Sequence, residues 1–140
     1  MNIRAFSKTD QSSVIALWNA CGLTRPWNNP AKDIDRKLAV QPELFLVGEL
    51  DGHIVASAMA GYDGHRGSVY YLAVSPEHQG NGFGQLLMAS IERLLTEKGC
   101  PKMNILVRSS NARVLGFYDK LGYKPDETVC IGKRLIADHA

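Results

Sequence analysis

The sequence contains few cysteines and no long hydrophobic run, and both absences exclude whole classes of protein. Its three cysteines are widely spaced and lie outside any CxxC pattern: Cys21, Cys100 and Cys130. This spacing argues against a disulfide framework and a zinc site. No stretch approaches the ~18 apolar residues of a transmembrane helix, and residues 1–8 lack the apolar core of a signal peptide. We therefore expect reduced thiols, no bound metal and a cytoplasmic location.

The sequence also lacks a strong charge of either sign. It has 16 Lys and Arg against 14 Asp and Glu, and its longest basic block is the pair Lys133-Arg134. Nucleic-acid-binding domains usually carry a basic stripe or patch, so we expect neither nucleic acid nor membrane as a partner. A chain of 140 residues with 45% hydrophobic and 21% charged residues is typical of one globular domain, predicted to span residues 1–140.

Hydrophobic periodicity predicts a mixed α/β fold with the order β-α-α-β-β-β-α-β-α-β. The predicted elements are a strand over 2–6, a helix capped by Thr9, a helix over 33–40, strands over 44–50, 54–61 and 68–74, a helix over 83–98, a strand over 103–107, a helix over 111–120 and a closing strand over 129–136. Asp51-Gly52 is a strong hairpin signal. The strand over 68–74 is apolar on both faces, which predicts a central position. The later strand–helix–strand order predicts a parallel pair.

A glycine-rich segment follows this central strand and opens the long helix. It consists of Gln79, Gly80, Asn81, Gly82, Phe83 and Gly84. Glycines allow a ligand to approach the backbone closely, and the amides and dipole of a helix N-terminus favour an anion there. The segment therefore predicts a phosphate or pyrophosphate site. A turn with no ligand, in which glycine serves backbone geometry alone, is the alternative.

Two other phosphate-binding motifs do not fit this segment. A P-loop would end in Gly-Lys-Ser/Thr, whereas Gly84 is followed by Gln85-Leu86. A dinucleotide fingerprint would need glycine or alanine at Gln85, and an acidic residue where the next strand ends in Val107-Arg108. A nucleotide-binding protein of the doubly wound class is therefore disfavoured.

Asn111 and Tyr118 lie seven residues apart at a predicted helix. Two turns place them on nearly the same face, so both side chains could line one groove. The alternative is structural: Asn111 is only an N-cap, and Tyr118 is a core aromatic residue beside Phe117. The spacing alone leaves both interpretations open.

These segments together resemble the GNAT superfamily of N-acetyltransferases. Residues 79–84 match its Q/R-x-x-G-x-G/A pyrophosphate loop, and the resemblance continues from Asn111 to Tyr123. The element order agrees over nearly the whole chain. The sequence is most similar to the small bacterial YpeA-like acetyltransferases, through the Arg-Pro-Trp-Asn loop at 25–28 and the segments 62–68, 99–102 and 132–136.

The resemblance implies the GNAT fold, with a splayed central pair of parallel strands, and acetyl-CoA as co-substrate. The segment Leu72-Ala73-Val74 would pair with the pantetheine arm, and residues 79–84 would hold the pyrophosphate. Asn111 would contact pantetheine, and Tyr118 would protonate the departing thiolate. The implied reaction is direct acetyl transfer to a primary amine of a small molecule or a peptide. The resemblance also implies that a homodimer can form.

The general base is not fixed by the sequence. Some peptide N-terminal acetyltransferases carry a glutamate where this chain has Leu106, which counts against a ribosomal-protein acceptor. Candidate bases are Asp63, His65, Tyr70, Tyr71 and Glu49. Asp63 and His65 are equally explained as turn residues, and Glu49 as a solvated residue before a hairpin. The other histidines are predicted to lie on the surface: His53, His78 and His139.

Acceptor specificity is predicted in the loop over 24–30, the helix after it and the turn over 62–68, because loops often carry binding residues. Trp27 could stack on the acceptor or cover the core. A non-catalytic acyl-CoA-binding or sensing module is the alternative function, although it would not need Tyr118. An acetyltransferase acting on charged tRNA has little support from the weak positive charge.

Overall fold

The fold is described by a computed structural model covering residues 1–138. His139, predicted at the surface, lies outside the described residues. The strands are β1 (Asn2–Ala5), β2 (Phe45–Leu50), β3 (His53–Tyr62), β4 (Gly67–Val74) and β5 (Met103–Ile105). The α-helices are α1 (Gln11–Ala20), α2 (Pro30–Leu38), α3 (Phe83–Glu97) and α4 (Ala112–Lys120). No helix within the described residues is long and apolar enough to cross a membrane.

The five strands form one mixed sheet in the order β1-β2-β3-β4-β5. The first four pair antiparallel, and β4 pairs parallel with β5. The two-residue turn between β2 and β3 has positive φ at Asp51 (51°) and Gly52 (79°), as a type I′ hairpin turn requires. The predicted mixed α/β class, the meander and the parallel pair are confirmed.

The helix starts differ from the prediction in two places. The side chain of Asn29 caps α2 by accepting from the Lys32 N–H at 3.1 Å. Pro30 is therefore the first residue of α2 rather than part of the loop, because proline at that position gives up no helical hydrogen bond. The predicted cap Thr9 is wrong: Ser7 forms a capping box with Asp10 on a short 3₁₀ turn before α1.

The core lies where α1 and α2 cover the first four strands. Trp18 and Val14 of α1 and Ile34 of α2 are completely buried. The ring of Phe45 stacks on Phe6, with 4.3 Å between centroids, and also contacts Trp18. Side chains of α3 form a further buried stripe: Leu87, Met88, Ile91 and Leu95. Together these residues fix the strands on which the candidate site is built.

The chain divides into two compact units, residues 1–105 with Asp138, and residues 106–137. The second unit contains α4 and the segment predicted as the closing strand over 129–136. That strand is absent from the structure, and its apolar side chains are largely exposed: Val129, Ile131, Leu135 and Ile136. Alternating apolar residues give a segment the capacity for a strand, but a strand forms only where a partner backbone pairs with it. The prediction of a tenth element is therefore wrong.

Candidate functional site

The edge of β4 is paired with β5 over only three residues. The last pair is Val69 with Ile105, whereas β4 runs on to Val74. No strand within residues 1–138 pairs with the rest of this edge, over 70–74, which we call the open edge. Since β5 ends at Ile105 rather than at the predicted Val107, the paired part is shorter than the sequence indicates.

A β-bulge interrupts β4 where the open edge begins. Ser57 lies opposite Ala73 and Met59 opposite Tyr70, so Ala58 alone faces both Tyr71 and Leu72. Tyr71 occupies the left-handed region, with φ of 54°. One extra residue on one strand is the defining feature of a bulge, and bulges often occur next to functional sites.

The bulge reverses which backbone groups point to the open edge. Before it, the Gly67 N–H points away from β3 and donates to the Lys102 carbonyl at 2.8 Å. After it, the N–H of another odd-numbered residue, Ser75, points the opposite way and donates to Val55 at 2.8 Å. Backbone groups alternate in direction along a strand, so those of Leu72 and Val74 face the open edge, and those of Ala73 face β3.

The glycine-rich loop follows this edge after a short 3₁₀ turn over Pro76–His78. Gly80 and Gly82 have φ of 87° and 79°, and a Cβ added to either would meet no atom within 4 Å. Helix α3 begins at Phe83, and its first main-chain bond runs from the Leu86 N–H to the Gly82 carbonyl at 3.1 Å. The three preceding N–H groups of the helix have no helical acceptor. The loop therefore presents amide donors and a helix dipole at an open surface, which suits an anion.

Side chains attach the loop to the end of β4. Gln79 Nε2 donates to the Val74 carbonyl at 3.0 Å, and Asn81 Nδ2 donates to the His78 carbonyl at 3.3 Å. Val74 also accepts a 3.3 Å hydrogen bond from Cys21 Sγ. His78 is half-buried and its ring stacks on Phe83 at 6.3 Å. The structure therefore places His78 at the surface with its ring partly covered.

Asn111 and Tyr118 belong to the second unit. Asn111 caps α4, with its Oδ1 accepting from the Val114 N–H at 3.3 Å, so the predicted cap is confirmed. Tyr118, on α4, is only 7% exposed. Its ring makes edge contacts with Phe117 and Tyr123. Burial raises the pKa of Tyr118 to about 12. The phenol consequently keeps its proton at neutral pH.

The candidate bases differ in their hydrogen bonds and in their exposure. The Asp63 carboxylate accepts the N–H groups of His65 and Arg66, both at 2.8 Å. These hydrogen bonds, from Arg66 first and then from His65, hold the Asp63 pKa below its usual value, so Asp63 acts as a turn residue. His65 is exposed and Tyr70 is half-exposed. Glu49 lies 3.6 Å from Arg4 Nε in an ion pair.

Tyr71 is tied to a carboxylate that the sequence does not identify. Its phenol donates to Asp33 Oδ2 at 2.7 Å. Burial, together with that hydrogen bond, raises the pKa of Tyr71, which argues against Tyr71 as a base. Asp33 lies in the first turn of α2, and no local sequence signal joins it to a strand residue 38 positions away.

The regions predicted to hold the acceptor are partly exposed. Trp27 is 47% exposed, so it does not serve as a buried cover for the core. Within residues 1–138, no group of three His, Cys, Asp or Glu side chains is arranged to hold a metal ion.

Comparisons with known proteins identify the family. The acetyltransferase (GNAT) family profile matches residues 12–123. The chain is 54% identical over 138 residues to an acetyltransferase of Yersinia pestis, covering 99% of this chain and 98% of that protein. It superimposes on Ard1 from Thermoplasma volcanium with a TM-score of 0.76 and 27% identity, over 86% and 80% of the two chains.

A more distant structure shares the fold. The aminoglycoside acetyltransferase AAC(6')-Iy, in complex with a CoA-containing bisubstrate analogue, superimposes with a TM-score of 0.79 at 20% identity, over 96% of this chain and 98% of the other. The mixed sheet with its parallel β4–β5 pair is thus the architecture of known acetyltransferases. By its profile match and its similarity to relatives over nearly full length, the chain belongs to the GNAT family of acetyltransferases.

Proposed function

We propose that residues 1–140 act as one acetyltransferase domain that transfers the acetyl group of acetyl-CoA directly to a primary amine. One observation carries this proposal: the open edge of β4 is followed, after one short 3₁₀ turn over Pro76–His78, by the glycine-rich loop at the start of α3. An open edge can pair with the amides of an extended arm, as in strand addition, and the loop suits the pyrophosphate to which that arm is joined. CoA combines both groups in one molecule.

The bound co-substrate would lie along these backbone groups. The backbone groups of Leu72 and Val74 face the open edge and would pair with the pantetheine amides. The backbone of Ala73 faces β3, so Ala73 would contribute to the site only as the residue between these two. The loop residues would hold the pyrophosphate: Gln79, Gly80, Asn81, Gly82, Phe83 and Gly84. Asn111 has one carboxamide oxygen engaged in its cap and would offer its Nδ2 to pantetheine.

Tyr118 would assist departure of the thiolate. The amine nitrogen attacks the thioester carbonyl carbon, the C–S bond breaks, and the nitrogen releases one proton to water. The departing CoA thiolate accepts a hydrogen bond from the Tyr118 phenol and then takes up a proton from water. A CoA thiol has an acidity near that of cysteine, with a pKa of ~8.5. Because burial raises the Tyr118 pKa to about 12, we expect the phenol to stabilise the sulfur as a hydrogen-bond donor while its own proton is shared rather than fully transferred.

The acceptor is proposed only as a primary amine of a small molecule or a peptide. The loop over 24–30, helix α2 and the turn over 62–68 would contact it, with Trp27 as an exposed ring available for stacking. A cytoplasmic location suits the three cysteines, which are free thiols. The proposed function involves neither nucleic acid nor a membrane. A homodimer stays a prediction.

The test is calorimetric titration with acetyl-CoA of the wild type and two glycine variants. Gly82→Asp adds bulk and negative charge where the pyrophosphate would bind. Gly52→Asp is the matched control, because Gly52 also has φ of 79° and open space around a Cβ but lies in the β2–β3 hairpin. Both variants therefore carry the same backbone strain.

We expect the wild type and Gly52→Asp to bind acetyl-CoA at micromolar concentrations, and Gly82→Asp to lose binding. An amine panel with detection of released CoA would then identify acceptors. Binding without turnover on any amine would favour the sensing module. Absence of binding by the wild type would contradict the proposed co-substrate.

A further inference from the structure

Lys37, on α2, is a half-buried cation without a counter-ion in the described part of the chain. Its ammonium forms no ion pair with any carboxylate of residues 1–138. Glu43 acts on it only at longer range, because the Glu43 carboxylate is held 3.0 Å from Lys98 Nζ. Burial, opposed by Glu43, lowers the pKa of Lys37. A charge withdrawn from water is stabilised by a partner of opposite sign, so this ammonium is suited to an anion from outside the chain.

The ammonium of Lys37 lies beside a glycine of β3. A Cβ built on Gly61 would lie 3.6 Å from Lys37 Nζ and 3.7 Å from both Gln41 Oε1 and Ser68 Oγ. These three polar atoms surround a space that glycine leaves unfilled. We call this space the α2 cup, formed by Lys37, Gln41, Gly61 and Ser68. All four residues are half-buried, so the cup is accessible from solvent yet partly screened from it.

The α2 cup has one rigid wall and one free hydroxyl. The Gln41 carboxamide makes two 2.9 Å hydrogen bonds with the main chain of Tyr62, donating to its carbonyl and accepting from its N–H. Ser68 Oγ makes no hydrogen bond within residues 1–138, and a hydroxyl can donate to an anion. One ammonium balances the single charge of a carboxylate, whereas a phosphate monoester carries about −1.5 to −2. The cup therefore fits a carboxylate best.

The α2 cup lies on the face of the sheet that leads to the bulge. Gly61 pairs with Ser68 and Met59 with Tyr70, so Ser68 and Tyr70 point to the same face as Met59. Met59 belongs to the core cluster under α1 and α2, which identifies that face. Tyr70 is 50% exposed and lies between the cup and the bulge. The strand from Ser68 to Leu72 spans about 10–13 Å.

We propose that the α2 cup binds a carboxylate of the acceptor, so that the substrate is an amine whose carboxylate lies about 10 Å from the reacting nitrogen. An extended ω-amino acid or a short peptide with free termini has this chemistry. The inference rests on the proposed function and narrows its acceptor. Lys37 would pair with the carboxylate and Ser68 would donate to it, while the acceptor crosses Tyr70 to reach the acetyl group at the open edge. Lys37 and Ser68 would thus determine specificity without taking part in the chemical step.

The first experiment follows the backbone amides of Gly61 and Ser68 by ¹⁵N NMR during titration with ω-aminooctanoate, or with ω-aminooctanamide, which lacks the negative charge. Lys37→Met removes the ammonium and keeps an unbranched side chain. Gly61→Ala places a methyl group in the cup at distances of ordinary contact. Lys8→Met is the matched control, since it also removes one positive charge, from an exposed 3.6 Å ion pair with Asp35 outside the cup.

We expect ω-aminooctanoate to shift both amides saturably in the wild type and in Lys8→Met. We expect binding to be at least about tenfold weaker in Lys37→Met, and at least about tenfold weaker for ω-aminooctanamide, because a hydrogen bond to a charged group is lost in each case. Gly61→Ala should also bind more weakly. Absence of shifts in the wild type, or wild-type affinity in Lys37→Met, would overturn the inference. Should Lys37→Met not fold, wild-type affinity in Gly61→Ala would overturn it.

Turnover with acetyl-CoA separates this inference from the proposed function. We expect kcat/KM of the wild type to be at least about tenfold higher for ω-aminooctanoate than for ω-aminooctanamide, and Lys37→Met to lose that preference. Turnover of amines without the preference would overturn the inference and leave the proposed function intact. A wild type that binds the carboxylate but acetylates no amine would overturn the proposed function and, with it, the assignment of the cup to an acceptor.

Discussion

The Tyr71 phenol donates a 2.7 Å hydrogen bond to the Asp33 carboxylate. This contact joins the bulge of β4 to the first turn of α2, the helix predicted to border the acceptor. A change in either residue therefore affects the two sides of the candidate site together. It also accounts for a tyrosine on the central strand that cannot serve as the base, since its proton is retained by the same contact.

Removing Asp33 should weaken the fold, and neutralising it should do so less. Asp33→Ala deletes the acceptor of the Tyr71 phenol, and a hydrogen bond to a charged group contributes about 1.5–3 kcal/mol. Asp33→Asn keeps an acceptor oxygen without the charge, so we expect less than half that loss. Urea unfolding of both variants and the wild type gives the comparison. Equal stability of Asp33→Ala and the wild type would show that the contact contributes nothing.

Tyr118 should make the protein sensitive to alkali. Its pKa is about 12 in the folded chain and about 10 when unfolded. The neutral phenol thus contributes stability that is complete below pH 10 and is lost as the pH rises to 12, by about 3 kcal/mol. We expect the unfolding free energy between pH 9 and pH 11.5 to fall less in Tyr118→Phe than in the wild type. Tyr71 titrates in both proteins, so the difference isolates Tyr118.

Tyr118→Phe should reduce turnover while leaving acetyl-CoA affinity nearly unchanged. The loss of a proton donor to the leaving group typically lowers the rate by about 10²–10⁴, whereas the predicted binding contacts are in other residues. Release of CoA with an accepted amine measures the rate, and calorimetry measures the affinity. Tyr123→Phe is the control, since it removes a phenol from the ring that contacts Tyr118 edge-on and leaves the Tyr118 hydroxyl in place. Unchanged turnover in Tyr118→Phe would remove it from the mechanism.

Two glycines of the central strands should respond oppositely to alanine. A Cβ on Gly67 would lie 2.9 Å from Leu95 Cδ1 and 3.0 Å from Cys100 Sγ, and overpacking of this kind costs about 1–3 kcal/mol. At Gly61 the nearest atom would be Lys37 Nζ, at 3.6 Å, an ordinary contact. There, reduced freedom of the unfolded chain should leave stability unchanged or raise it by up to about 1 kcal/mol. Thermal unfolding of Gly67→Ala and Gly61→Ala checks both expectations.

Features set by neighbouring residues could be predicted from the sequence. The hairpin turn at Asp51-Gly52, the cap at Asn111 and the glycine loop before α3 depend on the conformational preferences of a few adjacent residues. The bulge could not be predicted, because a tyrosine at positive φ violates its own local preference. Contacts with Trp18, Ser57 and Asp33 impose that conformation, and these residues are far from Tyr71 in sequence.

The closing strand shows the opposite limit. The alternation of Val129, Ile131 and Leu135 is a strand pattern, yet the structure leaves these side chains exposed. Periodicity states which face a segment would bury, but it carries no information on whether a pairing edge is present. Tyr118 shows the same limit. The sequence predicts that this tyrosine lies on a helix, but its raised pKa is caused by burial, which the sequence does not reveal.

The extra residue in β4 also has a consequence for how changes in this strand should be interpreted. A substitution alters one side chain. Deletion of one residue between Tyr70 and Ala73 would instead reverse every later backbone group of the strand, so that groups facing the open edge would face β3 and the reverse. The outward pair at Leu72 and Val74 would then turn to β3, and Gln79 would lose the carbonyl that receives its side chain. A single-residue deletion here would thus disturb both the open edge and the glycine-rich loop, although it removes no residue of α2 or α3.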